Sequence, residues 1–119
     1  MTDAPHRRFL DALAARDWYR LTEEAAEAME WHGPAGDRTH RGRDYVERLR
    51  GSVGTFDEYQ IEIVREVGDG GPVMVELVQR FMSGGTHHVV PEVMVFDVDP
   101  ASGRIAQLAV YIRGVDKEP

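Results

Sequence analysis

The chain has 119 residues, no Cys, and 14 Lys+Arg against 21 Asp+Glu, for a net charge of −7. That length fits one domain that buries roughly two-thirds of its unfolded surface, so 1–119 is read as a single unit. The missing Cys excludes disulfide scaffolds and thiolate sites, the acidic balance argues against nucleic acid, and no apolar run approaches the ~20 residues of a membrane span.

The N-terminus lacks the continuous apolar segment of a secretory signal, so a cytoplasmic protein is expected, with loose ends over 1–5 and 114–119. Arg supplies every cation except Lys117, which we attribute to a bacterial genome of high GC content. Pro5 suits the first turn of a helix, and Phe9, Leu10, Leu13 and Ala14 then recur at helical spacing. Asp17 reads as the N-cap of a second helix through roughly Met29, with Trp18, Leu21, Ala25 and Ala28 inward. Trp31-His32-Gly33-Pro34-Ala35-Gly36 breaks that helix, because Gly and Pro punctuate regular structure. A polar loop runs to Gly42, and Arg43 to about Ser52 reads as a third helix carried by Tyr45, Val46 and Leu49.

Beyond this the apolar period changes to two. Tyr59, Ile61 and Ile63 alternate with Gln60 and Glu62; Val73, Val75, Leu77, Gln79 and Phe81 alternate with Met74, Glu76, Val78 and Arg80. His87–Val98 and Arg104–Arg113 complete four strands joined by turns at Asp69-Gly70-Gly71-Pro72, Ser83-Gly84-Gly85 and Asp99–Gly103, a spacing that implies an antiparallel meander. Helices followed by strands make an α+β domain. The third long strand is apolar on both faces, with Val89, Pro91, Val93 and Val95 on one and Val90, Glu92, Met94 and Phe96 on the other. Helices cover one face, so a homodimer through the second is expected, or a C-terminal segment folded over it.

Three helices, the break at His32–Gly36 and a bent sheet resemble the nuclear transport factor 2-like superfamily over nearly the whole chain. Within it the chain is similar to the SnoaL-like group of polyketide cyclases, and more distantly to ketosteroid isomerase and limonene epoxide hydrolase. Local echoes are Phe9–Trp18, Phe96-Asp97-Val98-Asp99, Gly103-Arg104-Ile105 and Tyr111. The resemblance implies a cone-shaped fold in which three N-terminal helices pack on a curved antiparallel sheet and enclose an apolar pocket for a small hydrophobic ligand. Strand alternation then nominates the lining: Val75, Leu77, Gln79, Phe81, Val90, Glu92, Met94, Phe96, Leu108, Val110 and Ile112, closed by Phe9, Trp18, Trp31 and Tyr45.

Glu92 is the informative residue, because parity sets its carboxyl among Val90, Met94 and Phe96. A carboxylate there shifts its pKa upward or finds a partner, and a carboxyl tuned toward neutrality can trade protons with a substrate. An Arg partner, or a parity slip at Pro91 that turns the side chain to solvent, would remove that role. By the resemblance, Glu92 falls where ketosteroid isomerase keeps a neutral Asp (the type case of such a carboxylic acid). Gln79 shares the face and carries a donor and an acceptor, suited to orienting Glu92, a water or the ligand. His32 lies in the break where the isomerase has its base, and imidazole titrates near neutrality; a surface orientation would leave it inert. Phe9 stands where the isomerase needs a Tyr, leaving Tyr45 or Tyr19 to supply a phenol. The Asp–Arg–Asp set of the epoxide hydrolase is missing. Adjacent His87 and His88 point to opposite faces, and no His/carboxylate set has metal spacing, so no metal or cofactor is expected. The leading reading is a cofactor-independent enzyme performing acid–base cyclisation, isomerisation or dehydration on a small carbonyl or polyketide-like compound. Glu92, His32 and Gln79 would be its catalytic residues. A non-catalytic binding or assembly module, and an epoxide-opening enzyme, stand beside it.

Overall fold

The computed structural model describes residues 4–34, 36–39, 41–68 and 71–112. Pro5 opens helix α1 (Pro5–Ala14), its missing N–H falling in the first turn, where no intrahelical partner exists. Arg16 adopts φ 54°, and the N–H groups of Arg16 and Asp17 return to the carbonyls of Leu13 and Ala12 at 2.9 Å, ending the helix in a left-handed turn. Asp17 then caps α2 (Trp18–Glu24) by accepting from the Arg20 N–H at 3.2 Å.

The second helix, expected to reach about Met29, stops at Glu24, and Ala25–His32 forms strand β1. Ala25 and Met29 suit either conformation, but Met29 and Trp31 are both buried, a period of two. Pairing with the last strand supplies the backbone hydrogen bonds, so tertiary context overrides helix propensity. A short strand, β2 (Arg38–Thr39), interrupts the expected polar loop and pairs with β1. Helix α3 (Gly42–Ser52) begins one residue earlier than expected and continues into a 3-10 turn at Val53–Thr55.

The meander follows as β3 (Glu58–Val67), β4 (Val73–Ser83), β5 (Thr86–Val98) and β6 (Ile105–Ile112). Asp69 and Gly70 of the first expected turn, Arg113 of the last strand and the tail from Gly114 lie outside the described residues, as do 1–3. Gly84 (φ 59°) and Gly85 (φ 81°) make the two-residue turn between β4 and β5, which only positive φ at both positions allows. One six-stranded sheet results, in the order β2-β1-β6-β5-β4-β3. Its strands pair antiparallel except β1 with β6, which are parallel and joined through the whole intervening chain. Register shifts at Ile63/Arg65 and Asp97/Val98 bend it.

Phe9, Leu10 and Leu13 of α1 and Leu21 of α2 pack on Val75, Leu77, Phe96, Ile105 and Leu108, all buried. Phe9 stands edge-on to Phe96 at 5.5 Å and stacks on Tyr45 at 6.0 Å. His6 and Arg7 both hold Glu66 of β3, tying the start of α1 to the sheet, and Arg7, then His6, pull that carboxyl down to about 2. On the other face Val89, Pro91, Val93 and Val95 are half-buried, while Met74 and Tyr111 are 47% and 60% exposed.

Two glycines of α3 carry opposite expectations. A Cβ on Gly42 would stand 2.6 Å from the Ala26 carbonyl oxygen and 2.9 Å from the Ala25 Cβ, so helix and strand would have to separate. Around Gly51 nothing lies within 4 Å. Gly42→Ala should therefore cost about 1–3 kcal/mol by overpacking, and Gly51→Ala should add ~0.5–1 kcal/mol through helix propensity. Urea unfolding midpoints of the two variants measure both signs.

Candidate functional site

Strand parity, helix packing and the break after β1 converge on one cavity of about 170 Å³, open on one side. Its walls are Leu13 of α1, Trp31 of β1, Pro34 of the following loop, Tyr45 and Leu49 of α3, and Val53 of the 3-10 turn. The sheet contributes Tyr59, Gln79, Glu92, Met94, Val110 and Ile112. The loop is held close: Gly33 donates to the Asp37 carbonyl at 2.8 Å, and a Cβ on Gly33 would strike Asp37 Oδ1 at 2.5 Å and the Trp31 ring at 2.6 Å. Arg48 lies over the outer face of that ring, 4.8 Å from its centre, and also bonds Asp37. Asp37 Oδ1 itself is buried without a partner among the described residues.

Glu92 reaches this cavity because β5 alternates strictly there: Glu92, Met94 and Phe96 are buried, while Val93 and Val95 face the other side. No parity slip occurs at Pro91, and among the described residues no Arg pairs with the carboxyl; Glu92 is 3% exposed. Loss of water pushes its pKa up to about 7. Gln79 Nε2 donates to Glu92 Oε1, a contact that favours the carboxylate but is outweighed by burial. The second carboxylate oxygen has no partner among the described residues.

Two phenols complete the polar edge. Tyr59 donates to Gln79 Oε1 at 2.5 Å. Tyr45 is 2% exposed, and its hydroxyl has no hydrogen-bond partner among the described residues. Burial, then Glu92, raise the Tyr45 pKa well above its ordinary range. For Tyr59 burial comes first, followed by Tyr45 and Glu92, with Arg16 opposing them. Both stay protonated donors through the neutral range. The site thus combines a carboxyl that holds or releases a proton near neutrality, a free phenol donor and a largely apolar lining.

Of the residues nominated from sequence, Glu92, Gln79, Trp31, Tyr45, Met94, Val110 and Ile112 line the cavity. His32 does not: it follows Trp31 on a strand, so its ring points to the other face, bonding Glu30 at 2.9 Å and approaching Gln107 Nε2 at 3.3 Å. Leu77, Phe96 and Leu108 are fully buried and, with Val75 and Phe9, fill the core beneath, which makes the cavity smaller than the alternation suggests. Phe81 is sandwiched between Phe56 (4.0 Å) and His88 (4.9 Å), away from the lining. Val90 pairs with Gln79 across the strands without reaching the space. Trp18 lines a separate surface groove with Thr22, Val46 and Glu47. Tyr19 is 75% exposed and supplies no phenol here. Sequence reasoning missed Tyr59, whose alternation with Ile61 and Ile63 was the available signal, and the helix-side residues Leu13, Pro34, Leu49 and Val53. Among the described residues no group of three His, Asp or Glu could hold a metal ion, and no helix is long and apolar enough to cross a membrane.

A family model described as the SnoaL-like domain matches residues 6–108. A search of curated proteins returned no match. Among solved structures, a protein of Shewanella denitrificans provisionally named a SnoaL-like polyketide cyclase superposes with a TM-score of 0.82 at 15% identity, covering 91% of this chain and 87% of that one. A Mycobacterium tuberculosis LEH-like epoxide hydrolase gives 0.79 at 24% identity, covering 91% and 79%. A Kribbella flavida protein provisionally named a ketosteroid isomerase gives 0.78 at 20%, covering 98% and 80%. At these identities the structural likeness establishes the α+β, nuclear transport factor 2-like fold. Because the family model spans most of its length, the chain belongs to the SnoaL-like domain family.

Proposed function

We propose that the protein is a cofactor-independent acid–base enzyme acting on a small hydrophobic carbonyl compound, by isomerisation or by the related cyclisation or dehydration. The observation that carries this reading is Glu92, buried in an apolar cavity beside the unpartnered Tyr45 hydroxyl. As carboxylate, Glu92 removes a proton from the carbon next to the carbonyl; Tyr45 donates a hydrogen bond to the oxygen as negative charge builds there. Glu92 then returns the proton to a different carbon, which restores the carboxylate. A pKa of about 7 suits one group to both steps. His32 stands outside the cavity and takes no part. A cavity of about 150 Å³ accepts benzene, so about 170 Å³ accommodates a single ring or a short branched chain beside Glu92. Glu92 is the only carboxyl among the described lining residues, which weighs against epoxide opening by an acid pair.

Exchange of α-protons for solvent deuterium in a panel of single-ring ketones, followed by proton NMR, tests the chemistry. Glu92→Gln should lower the exchange rate by about 10²–10⁴-fold, and full exchange by that variant would show the role to be misassigned. Tight binding of the ketones with no exchange by the unaltered protein would support the binding-module reading instead.

The same variant has a stability signature. A carboxyl whose folded pKa of about 7 lies above the ordinary 4.5 stabilises the fold fully at low pH, and that contribution is lost as pH rises through 7. The shift corresponds to roughly 3 kcal/mol. Glu92→Gln keeps an acceptor for Gln79 and removes the titration. It should match the unaltered protein near pH 4.5 and exceed it by about 1–3 kcal/mol above pH 8, measured by chemical denaturation at both pH values.

We further propose that the protein is a homodimer through the outer sheet face, where Val93, Val95, Met74 and Tyr111 form an apolar surface that none of the described helices covers. Val93→Arg should convert a two-chain mass to a one-chain mass in light scattering, and a single-chain mass for the unaltered protein would refute the dimer.

A further inference from the structure

Tyr59, Gln79 and Glu92 sit on three neighbouring strands and form one hydrogen-bonded line that ends at the cavity. Their registers make this possible. Gln79 pairs with Ile61 and with Val90, so Tyr59 and Glu92 are each its diagonal neighbours, at a spacing that long side chains bridge. The line has a direction. Tyr59 donates to Gln79 Oε1, which turns the other end of the amide, Nε2, toward Glu92 Oε1. An oxygen that accepts from an N–H there cannot also aim a proton at it. A proton on Glu92 therefore resides on Oε2, the oxygen with no partner among the described residues.

The opposite direction is chemically complete except at one atom. If protonated Glu92 donated to Gln79 Oε1, the amide would turn Nε2 toward the Tyr59 oxygen, and the phenol hydrogen would then be buried without an acceptor, a costly arrangement. Tyr59 is well placed to impose this penalty: it is buried, and its ring lies 6.1 Å from that of Phe56. The Phe56 carbonyl is in turn held by Arg16 Nη1 at 2.6 Å.

We propose that Tyr59 is a positioning residue for the reaction, its phenol setting the direction of the Gln79 amide and thereby directing the Glu92 proton into the cavity. The proposal rests on Glu92 being the acid–base group named above. Among the described residues, the titratable or charged groups bearing on the carboxyl are Tyr45 from α3 and Tyr59 from β3, with Arg16 acting on Tyr59 from the α1–α2 turn; Leu13, Val110 and Ile112 contribute no charge.

The carboxyl carbon of Glu92, followed by ¹³C NMR across pH in the ligand-free protein, reads this relay without any substrate. Tyr59→Phe keeps the ring and removes the constraint, so the amide is free to turn and accept from neutral Glu92. The titration midpoint should rise by about one pH unit. In a Gln79→Leu background, or Gln79→Met should the first not fold, Tyr59→Phe should add no comparable rise, because the phenol acts only through the amide. An unchanged midpoint in Tyr59→Phe, or the same rise with and without the glutamine, would overturn the proposal. Failure of the catalytic reading looks different: Glu92→Gln would retain deuterium exchange while the coupled titration shifts remained.

Discussion

Burying one carboxyl among aliphatic and aromatic side chains is the constraint on which the rest of the site depends. An unpaired carboxylate in such a place costs several kcal/mol, so the group either titrates upward or forces the fold to supply a partner. Here it does the first and, among the described residues, receives an amide. An Arg in place of Gln79 would hold Glu92 permanently ionised and leave it a poor acid. An apolar residue would leave it neutral and without orientation. The amide is intermediate: it fixes one oxygen without supplying a charge, and burial keeps the proton affinity near neutrality.

The architecture that keeps water from this carboxyl is assembled from distant parts of the chain. The helices supply Leu13, Tyr45 and Leu49, while β1, reaching back to pair in parallel with β6, carries Trp31 into the cavity wall. The loop that follows depends on Gly33, because a side chain there would collide with both the Trp31 ring and Asp37. Trp31, Pro34 and Leu49 stand between the cavity and an outer groove that also includes Asp37 and Arg48. Glu92 is therefore shielded by a few side chains near the surface rather than by depth within the core.

How much of this was legible in the sequence follows from which periodicities are rigid. Strand parity has a period of two, so a single long strand with clear boundaries is enough to place Glu92 inward, and the neighbouring strand places Gln79 beside it. The same rule misleads on volume, since an inward residue such as Leu77 or Phe96 fills core as readily as it lines space. Ala25–His32 has a composition that helix and strand share, so the side that His32 faces is open in the sequence; in the strand, an inward Trp31 turns His32 outward. The inward side of Tyr59 is legible in its alternation with Ile61 and Ile63, but its hydrogen-bond partner is not. Tyr59 acts across a diagonal between strands, and only the register, set in part by the bulge at Ile63/Arg65, determines which residue its hydroxyl meets. A fold class depends on element order, whereas a hydrogen-bonded line depends on register.

A glutamate stands where a glutamine would be more stable above neutral pH. Ionisation at this position works against the fold by roughly 3 kcal/mol, a sizeable fraction of the 5–15 kcal/mol typical of a domain. A purely structural role for the pair is satisfied by two amides, which hydrogen-bond to each other and carry no desolvated charge. The position instead combines a titrating carboxyl with a directed amide and two phenols that stay protonated. Such a cluster lowers stability when ionised and gains nothing structural from ionising, the pattern expected where a proton is transferred rather than stored.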